Sequence, residues 1–239
     1  MRNLISFLQD TKVFLIFALA ALLPIFFTPF TSEFYETGKF LLLSWTSLIL
    51  FLLWGVKSVL ENKISLVKTP VDLFLLILGL VALLSTVFSQ TPYPALFGIL
   101  PKVFGSLLFI LSTILLYFMV TSNIKGEKQI SWALALLTIS TVVASAISLL
   151  SYFKIYLPFK FASFQGFSLA GSPVTTAILA SLVLPFVLIQ LLKYKHINFK
   201  ALQNYLPAAI LSLVALILLS TIILVGSLAA WVAGIFAIG

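Results

Sequence analysis

Cysteine is missing from the 239 residues, and histidine occurs once, as His196. The first absence excludes a disulfide framework and a thiolate metal site. The second excludes a metal centre built on clustered imidazoles, so neither metal nor cofactor is expected. Charge is the next scarcity. Charged residues make up 8% of the chain and apolar residues 62%, where an ordinary soluble domain carries about 25% and about 45–50%. No globular core hides that much apolar surface from water, so lipid has to serve as solvent for much of it. Acidic residues are scarcest: six Asp and Glu stand against 14 Lys and Arg, a net charge of +8. The basic residues are scattered through short loops rather than gathered on one face, which argues against nucleic acid as a partner. On a membrane protein the surplus follows from the positive-inside rule, and anionic lipid head groups are the partners it suggests.

What is present is a series of long charge-free windows: 13–32, 40–56, 73–101, 103–124, 129–153, 161–192 and 201–239. A helix needs about 20 apolar residues to cross about 30 Å of hydrocarbon. Only helices and closed barrels satisfy their backbone groups in lipid. Barrel strands alternate in polarity over about ten residues, whereas these windows are apolar on every face. Arg2 and Lys12 before an apolar run have the look of a signal peptide. The run from Val13 to Ser32 is too long for that, however, and lacks a small-residue cleavage site. The fold class is therefore all-α, a multi-pass transmembrane helical bundle. Its spans fall at 12–30, 40–60, 71–89, 103–122, 131–153, 173–193 and 206–225, seven in full plus the start of an eighth. The final stretch, Leu228 to Gly239, reaches about 18 Å as a helix, short of the far side. The chain thus reads as a single transmembrane domain, 1–239, forming the N-terminal portion of a longer membrane protein.

Orientation follows from Lys and Arg. With the N-terminus inside, the inner segments hold Arg2, Lys12, Lys57, Lys63, Lys68, Lys125, Lys128, Lys193, Lys195 and Lys200, and the outer segments hold Lys39, Lys102, Lys154 and Lys160. The N-terminus is therefore expected in the cytoplasm, with 31–39, 90–102, 154–172 and 226–227 outside. Pro24 and Pro185 fall inside spans and are expected to kink them. The outer stretch Tyr152 to Phe167 is crowded with aromatics, namely Tyr152, Phe153, Tyr156, Phe159, Phe161, Phe164 and Phe167. It suits an anchor at the head-group boundary or the wall of a groove for a lipid-linked substrate.

On these boundaries no span holds an ionisable residue near its centre, which argues against an ion-coupled transporter and moves any activity to the outer surface. Glu33 and Glu36 share a helical spacing, but one short loop makes a poor cleft for two-carboxylate hydrolysis, and an exposed, solvated pair is expected. Lys102 follows the turn-rich stretch 90–98 and precedes the fourth span. It is read either as a snorkelling side chain or as a cation holding a phosphate of a lipid carrier. Lys154 and Lys160 carry the same two readings. His196 sits in a basic inner loop as a spectator. Ser172 is expected to cap the sixth span with Pro173 at its first position, behind Gly166 and Gly171. Gly226 to Trp231 forms a small-residue turn.

Four stretches in this order carry a resemblance. They are Leu23-Pro-Ile-Phe-Phe-Thr-Pro-Phe-Thr-Ser-Glu33 with Lys39; Leu84-Ser-Thr-Val-Phe-Ser89 with Tyr93, Leu96-Phe-Gly98, Lys102 and Gly105; Leu169-Ala-Gly-Ser-Pro173 through Pro185; and Gly226-Ser227 with Ala230-Trp231. Together they resemble the N-terminal part of the bacterial O-antigen ligase and polymerase family, whose members run well beyond this length. The sequence departs from the family at Leu228, where arginine is usual, and at Lys102, where many members have arginine and its planar fork. The resemblance implies a protein of the bacterial cytoplasmic membrane. It implies metal-independent transfer of an undecaprenyl-diphosphate-linked glycan to an acceptor on the outer face, incomplete in this stretch of chain. Outer cations would bind the diphosphate and stabilise its charge as it leaves, and a base would take the acceptor proton. Lys102, Lys154 and Lys160 are the cations available for substrate binding; no residue presents itself as the base. Two readings compete. A polysaccharide or lipid flippase subunit would need a polar central cavity and internal repeats, and no repeat is visible. A non-catalytic membrane scaffold would make every outward basic residue dispensable.

Overall fold

A computed structural model describes residues 2–28, 36–63, 66–99, 103–159, 162–163, 165–195 and 205–238. Among these residues there is no β-strand. The helices are α1 Arg2–Leu22, α2 Glu36–Glu61, α3 Asp72–Val87, α4 Pro92–Phe97, α5 Leu107–Asn123, α6 Glu127–Tyr152, α7 Pro173–Lys195, α8 Tyr205–Val225 and α9 Leu228–Ile238. Leu4–Leu22, Glu36–Glu61, Glu127–Tyr152, Pro173–Lys193 and Leu206–Val225 are long and apolar enough to cross a bilayer. The apolar helices α3 and α5 have 16 and 17 residues, about 24–26 Å at the helical rise. Large apolar side chains face outward, among them Phe74 at 70% and Phe236 at 83% exposure. Such a surface is stable in lipid and not in water, and the chain is a helical membrane protein.

Each predicted span overlaps one helix, five of them long enough to cross and α3 and α5 shorter, with boundaries that shift for local reasons. The first helix covers 2–22, not 12–30. It starts early because Leu4, Ile5, Phe7 and Leu8 are interleaved with polar residues in a helix-compatible pattern. It stops early because the residue before a proline avoids the helical region. Pro24 thus lies beyond α1 and kinks nothing, whereas α7 runs through Pro185. The stretch 90–98 is not all turn, since Pro92 starts the short α4 from a position where its missing N–H costs nothing. The fifth helix begins at Leu107 rather than 103, where Ser106 Oγ accepts the N–H of Phe109 at 3.3 Å.

The chain divides into two compact units, one of 1–23 and 27–133, the other of 24–26 and 134–239. In the first, α2 packs on α5 and α1, and α3 and α4 pack on α5. Leu8, Lys12, Ile16 and Leu19 of α1 are all buried, a stripe at helical spacing, so a lysine occupies a core position. Ile16, Leu50 and Met119 form the centre, wrapped by Trp54, Leu116 and Ile124. At Gly79 an added Cβ would lie 3.2 Å from Ile114 Cδ1, so the absent side chain lets α3 and α5 approach. The α2 helix ends with Asn62 at φ 49°. The N–H groups of Asn62 and Lys63 return to the carbonyls of Val59 and Ser58 at 3.3 and 3.2 Å, a Schellman closure.

In the second unit α8 and α9 both pack on α7. The core joins Ala177, Ala180, Val183, Leu184 and Val187 of α7 to Ala215, Leu218 and Ile222 of α8 and to Ala230 of α9. Small residues bring membrane helices close where no hydrophobic drive operates between them. The α6 helix is lined with buried hydroxyls. Those of Thr138 and Thr141 donate to the carbonyls of Leu134 and Leu137, each at 2.7 Å, the local pairing open to hydroxyls inside a helix.

Candidate functional site

Lys102 and Lys160 lie outside the described residues, as do Glu33 and His196. Lys154 is described and exposed. Its backbone has φ 63°, and its N–H and that of Ile155 reach the carbonyls of Ser151 and Leu150 at 3.1 and 2.9 Å. This is the Schellman closure of α6, with lysine where glycine is usual. Local geometry thus explains the backbone at position 154 and leaves the ammonium directed outward beside the exposed Tyr152, Phe153, Tyr156 and Phe159. Phe161 and Phe164 of the same stretch are outside the described residues. Phe167 differs from its neighbours: it is 2% exposed, and its N–H donates to Ser151 Oγ at 2.9 Å. The aromatic stretch therefore combines an outward-facing surface with an inward plug.

After Phe167 the chain stays inside the second unit. Ser168, Leu169 and Ala170 are buried. The hydroxyls of Ser168 and Thr176 are hydrogen-bonded to each other, and Ser168 Oγ also accepts the N–H of Ala170 at 3.2 Å. Ser172 Oγ accepts the N–H of Thr175 at 3.1 Å and Pro173 is the first residue of α7, the cap expected from the sequence. Ser227 Oγ accepts the N–H of Ala230 at 3.1 Å and starts α9 after Gly226 at φ 60°. The loop before α7 and the end of α8 meet at one cavity, lined by Ser148, Tyr152, Gly166, Pro173, Thr221 and Val225. Its volume of about 20 Å³ holds a single water and not a sugar. Ser145, one turn from Ser148 on α6, has a buried Oγ without a hydrogen-bond partner.

Glu36 is the first residue of α2, where a carboxylate complements the helix N-terminus. Its Oε2 is shielded from solvent with no hydrogen-bond partner, so this member of the expected solvated pair is only partly solvated.

A polar cluster that sequence reading missed lies in the first unit. Lys57 Nζ donates to Gln9 Oε1 at 2.8 Å and lies 3.7 Å from Glu61 Oε1. Gln9 Nε2 donates to the carbonyl of Asn123 at 3.3 Å, and Asn123 Nδ2 to that of Met119 at 2.7 Å. Lys12, one turn beyond Gln9, is 1% exposed, and the charges acting on it are those of Lys57, Glu61 and Lys125. The expectation from sequence concerns only ionisable residues near the centre of a span and does not foresee this burial, although Lys12 falls within the apolar helix 4–22. Charge-free windows concealed it by using Lys12 as their border. The available signal was the i, i+3 spacing of Gln9 and Lys12 beside the i, i+4 spacing of Lys57 and Glu61. Among the described residues no three His, Cys, Asp or Glu side chains come together as a metal site. Compared with known protein families, characterised proteins and solved structures, the chain matches none.

Proposed function

We propose that the protein is a membrane glycosyltransferase of the O-antigen ligase and polymerase type. In this reading it crosses the bacterial cytoplasmic membrane with seven full spans and the start of an eighth, N-terminus inside. The observation that carries the reading is the order of the four family-like stretches along the chain. The orientation rests on the excess of Lys and Arg in alternate loops. The two shorter helices count as spans because each is flanked by apolar residues that extend it toward the head groups, Val71 and Phe88 at α3 and Val103 and Phe104 at α5.

The reaction joins an acceptor hydroxyl oxygen to the anomeric carbon of the lipid-linked glycan. The bond from that carbon to the diphosphate breaks, and undecaprenyl diphosphate leaves with the electron pair. The acceptor proton passes to a base. Lys102, Lys154 and Lys160 are assigned to the diphosphate, whose charge grows as the bond breaks. The test is transfer in membranes containing the protein expressed from its own gene, an undecaprenyl-diphosphate-linked glycan and an acceptor, read as a mass increase of the acceptor. Lys102→Ala is expected to abolish transfer at unchanged membrane level. Full transfer by that variant removes the assignment of Lys102, and no transfer by the wild type removes the family reading. The buried Lys12 lends something to the transporter alternative. It lies level with the C-terminal ends of α2 and α5, however, and a pathway residue is expected nearer the centre.

A further inference from the structure

The polar cluster of the first unit has more positive charge than its own groups balance. Lys12 feels the charges of Lys57, Lys125 and Glu61, and Glu61 is the carboxylate 3.7 Å from Lys57; Glu127 and Lys128 at the start of α6 offset each other. The C-terminal ends of α2 and α5 contribute roughly half a negative charge each. Asp10 is on the exposed side of α1. Asp72, whose two oxygens accept the N–H and hydroxyl of Thr69 at 2.8 and 2.5 Å, keeps its negative charge. The N–H of Val67 reaches Ser122 Oγ at 3.5 Å, which brings Lys68 to the same end of α5, where Asp72, four residues on, offsets its charge. About one unit of positive charge is left over, and a buried ammonium such as that of Lys12 is costly when its surroundings do not compensate it.

We infer that this end of the first unit is a binding site for a phosphate monoanion, supplied by the head group of an anionic phospholipid. Lys57 and Lys125 are the reachable cations. Gln9 holds Lys57 in place, and Lys12 behind them keeps the potential positive where water does not screen it. The surroundings favour a lipid as the source. Val56, next to Lys57, and Phe14, two residues beyond Lys12, are exposed apolar residues on the bilayer side of the cluster, placed to receive acyl chains, and basic residues at a helix end face the charged head groups of a bilayer. The site shares no residue with the proposed transfer reaction, which is assigned to Lys102, Lys154 and Lys160.

The test uses the detergent-purified, delipidated protein and reads its unfolding midpoint against added phosphatidylglycerol, phosphatidylcholine or inorganic phosphate. Phosphatidylglycerol is expected to raise the midpoint saturably, and phosphatidylcholine is not. Lys57→Gln and Lys125→Gln should each weaken the apparent lipid affinity about fivefold, Lys12→Met at least as much, and Lys193→Gln in the other unit should leave it unchanged. If Lys12→Met fails to fold, the Lys57→Gln/Lys125→Gln double variant decides. Equal stabilisation by both lipids, or an unchanged response in the double variant, overturns the site. Saturation by inorganic phosphate that leaves no further response to phosphatidylglycerol overturns the lipid as its source.

Discussion

The crossing of α7 and α9 yields a prediction with a distance attached. A Cβ built on Gly234 lies 3.5 Å from Ser181 Cβ, at the lower edge of the roughly 3.5–4.5 Å that a disulfide requires. Because the chain contains no cysteine, Ser181→Cys with Gly234→Cys introduces a single possible bridge. A membrane-permeant oxidant should close it. After denaturation, the oxidised protein should take up no thiol-reactive polymer, the reduced protein two, and each single variant one. The bridge closes a loop of about 50 residues and should add about 4 kcal/mol to the stability of the second unit, read as a shift in its unfolding curve between reducing and oxidising conditions. Ser181→Cys with Ile235→Cys is the control, since Ile235 is 70% exposed and points away from α7. The same contact predicts that Gly234→Ala is tolerated, as 3.5 Å is an ordinary carbon contact, while Gly234→Leu overpacks the crossing at a cost of about 1–3 kcal/mol. Full labelling of the 181/234 pair after oxidation, or equal closure of the 181/235 pair, would refute the packing of α9 on α7.

Two further predictions concern the ends of helices. Lys154→Gly relieves about 1–2 kcal/mol of left-handed strain and returns about 0.5–1 kcal/mol in backbone entropy; it should raise the unfolding midpoint where Lys154→Ala does not, and equal midpoints would count against the Schellman closure of α6. Ser172→Ala removes the cap of α7 and should cost about 1 kcal/mol, with Ser172→Asp restoring most of it in the same denaturation assay; a neutral Ser172→Ala would mean that Ser172 does not hold the start of the helix.

The helices were legible because their cause is written in composition. A charge-free window of twenty residues has no stable alternative to a helix in lipid, and so 40–60, 131–153, 173–193 and 206–225 lead to α2, α6, α7 and α8. The cap at Ser172 was legible because Ser followed by Pro is a local signal that tertiary packing has little reason to override. Charge was the less faithful guide. It placed the first helix at 12–30 because Asp10 and Lys12 look like a boundary, yet an amphipathic helix continues through both. Proline was ambiguous in the same way. Pro24 follows the end of α1 while Pro185 lies inside α7, and the difference comes from tertiary context: α7 is held on both sides of Pro185 by Leu184 and Val187 packed against α8 and α9. The left-handed Lys154 was hidden altogether, since nothing in its side chain announces that position. The cluster of Gln9, Lys57 and Asn123 was hidden for a different reason. Its members are 48 and 114 residues apart in sequence, and only packing brings them together.

Lys12 also bears on what a span is. By length and polarity, the stretch of α1 that crosses is 4–22, and Lys12 then falls near its middle. By packing, Lys12 belongs to one level with Lys57, Glu61 and Lys125, the polar ends of neighbouring elements. Both statements hold if the first two turns of α1 reach past the level at which α2 and α5 end. The exposed Leu4 and Phe7 then lie at the head-group boundary, as in an interfacial helix. From Lys12 to Leu22 the helix then covers about 15 Å at the helical rise, against about 27 Å for the whole of 4–22. Helix length and span length are therefore separate quantities in this protein. The level shared by Gln9, Lys57 and Asn123 is set by packing of three helices, and the ends of any one of them do not reveal it.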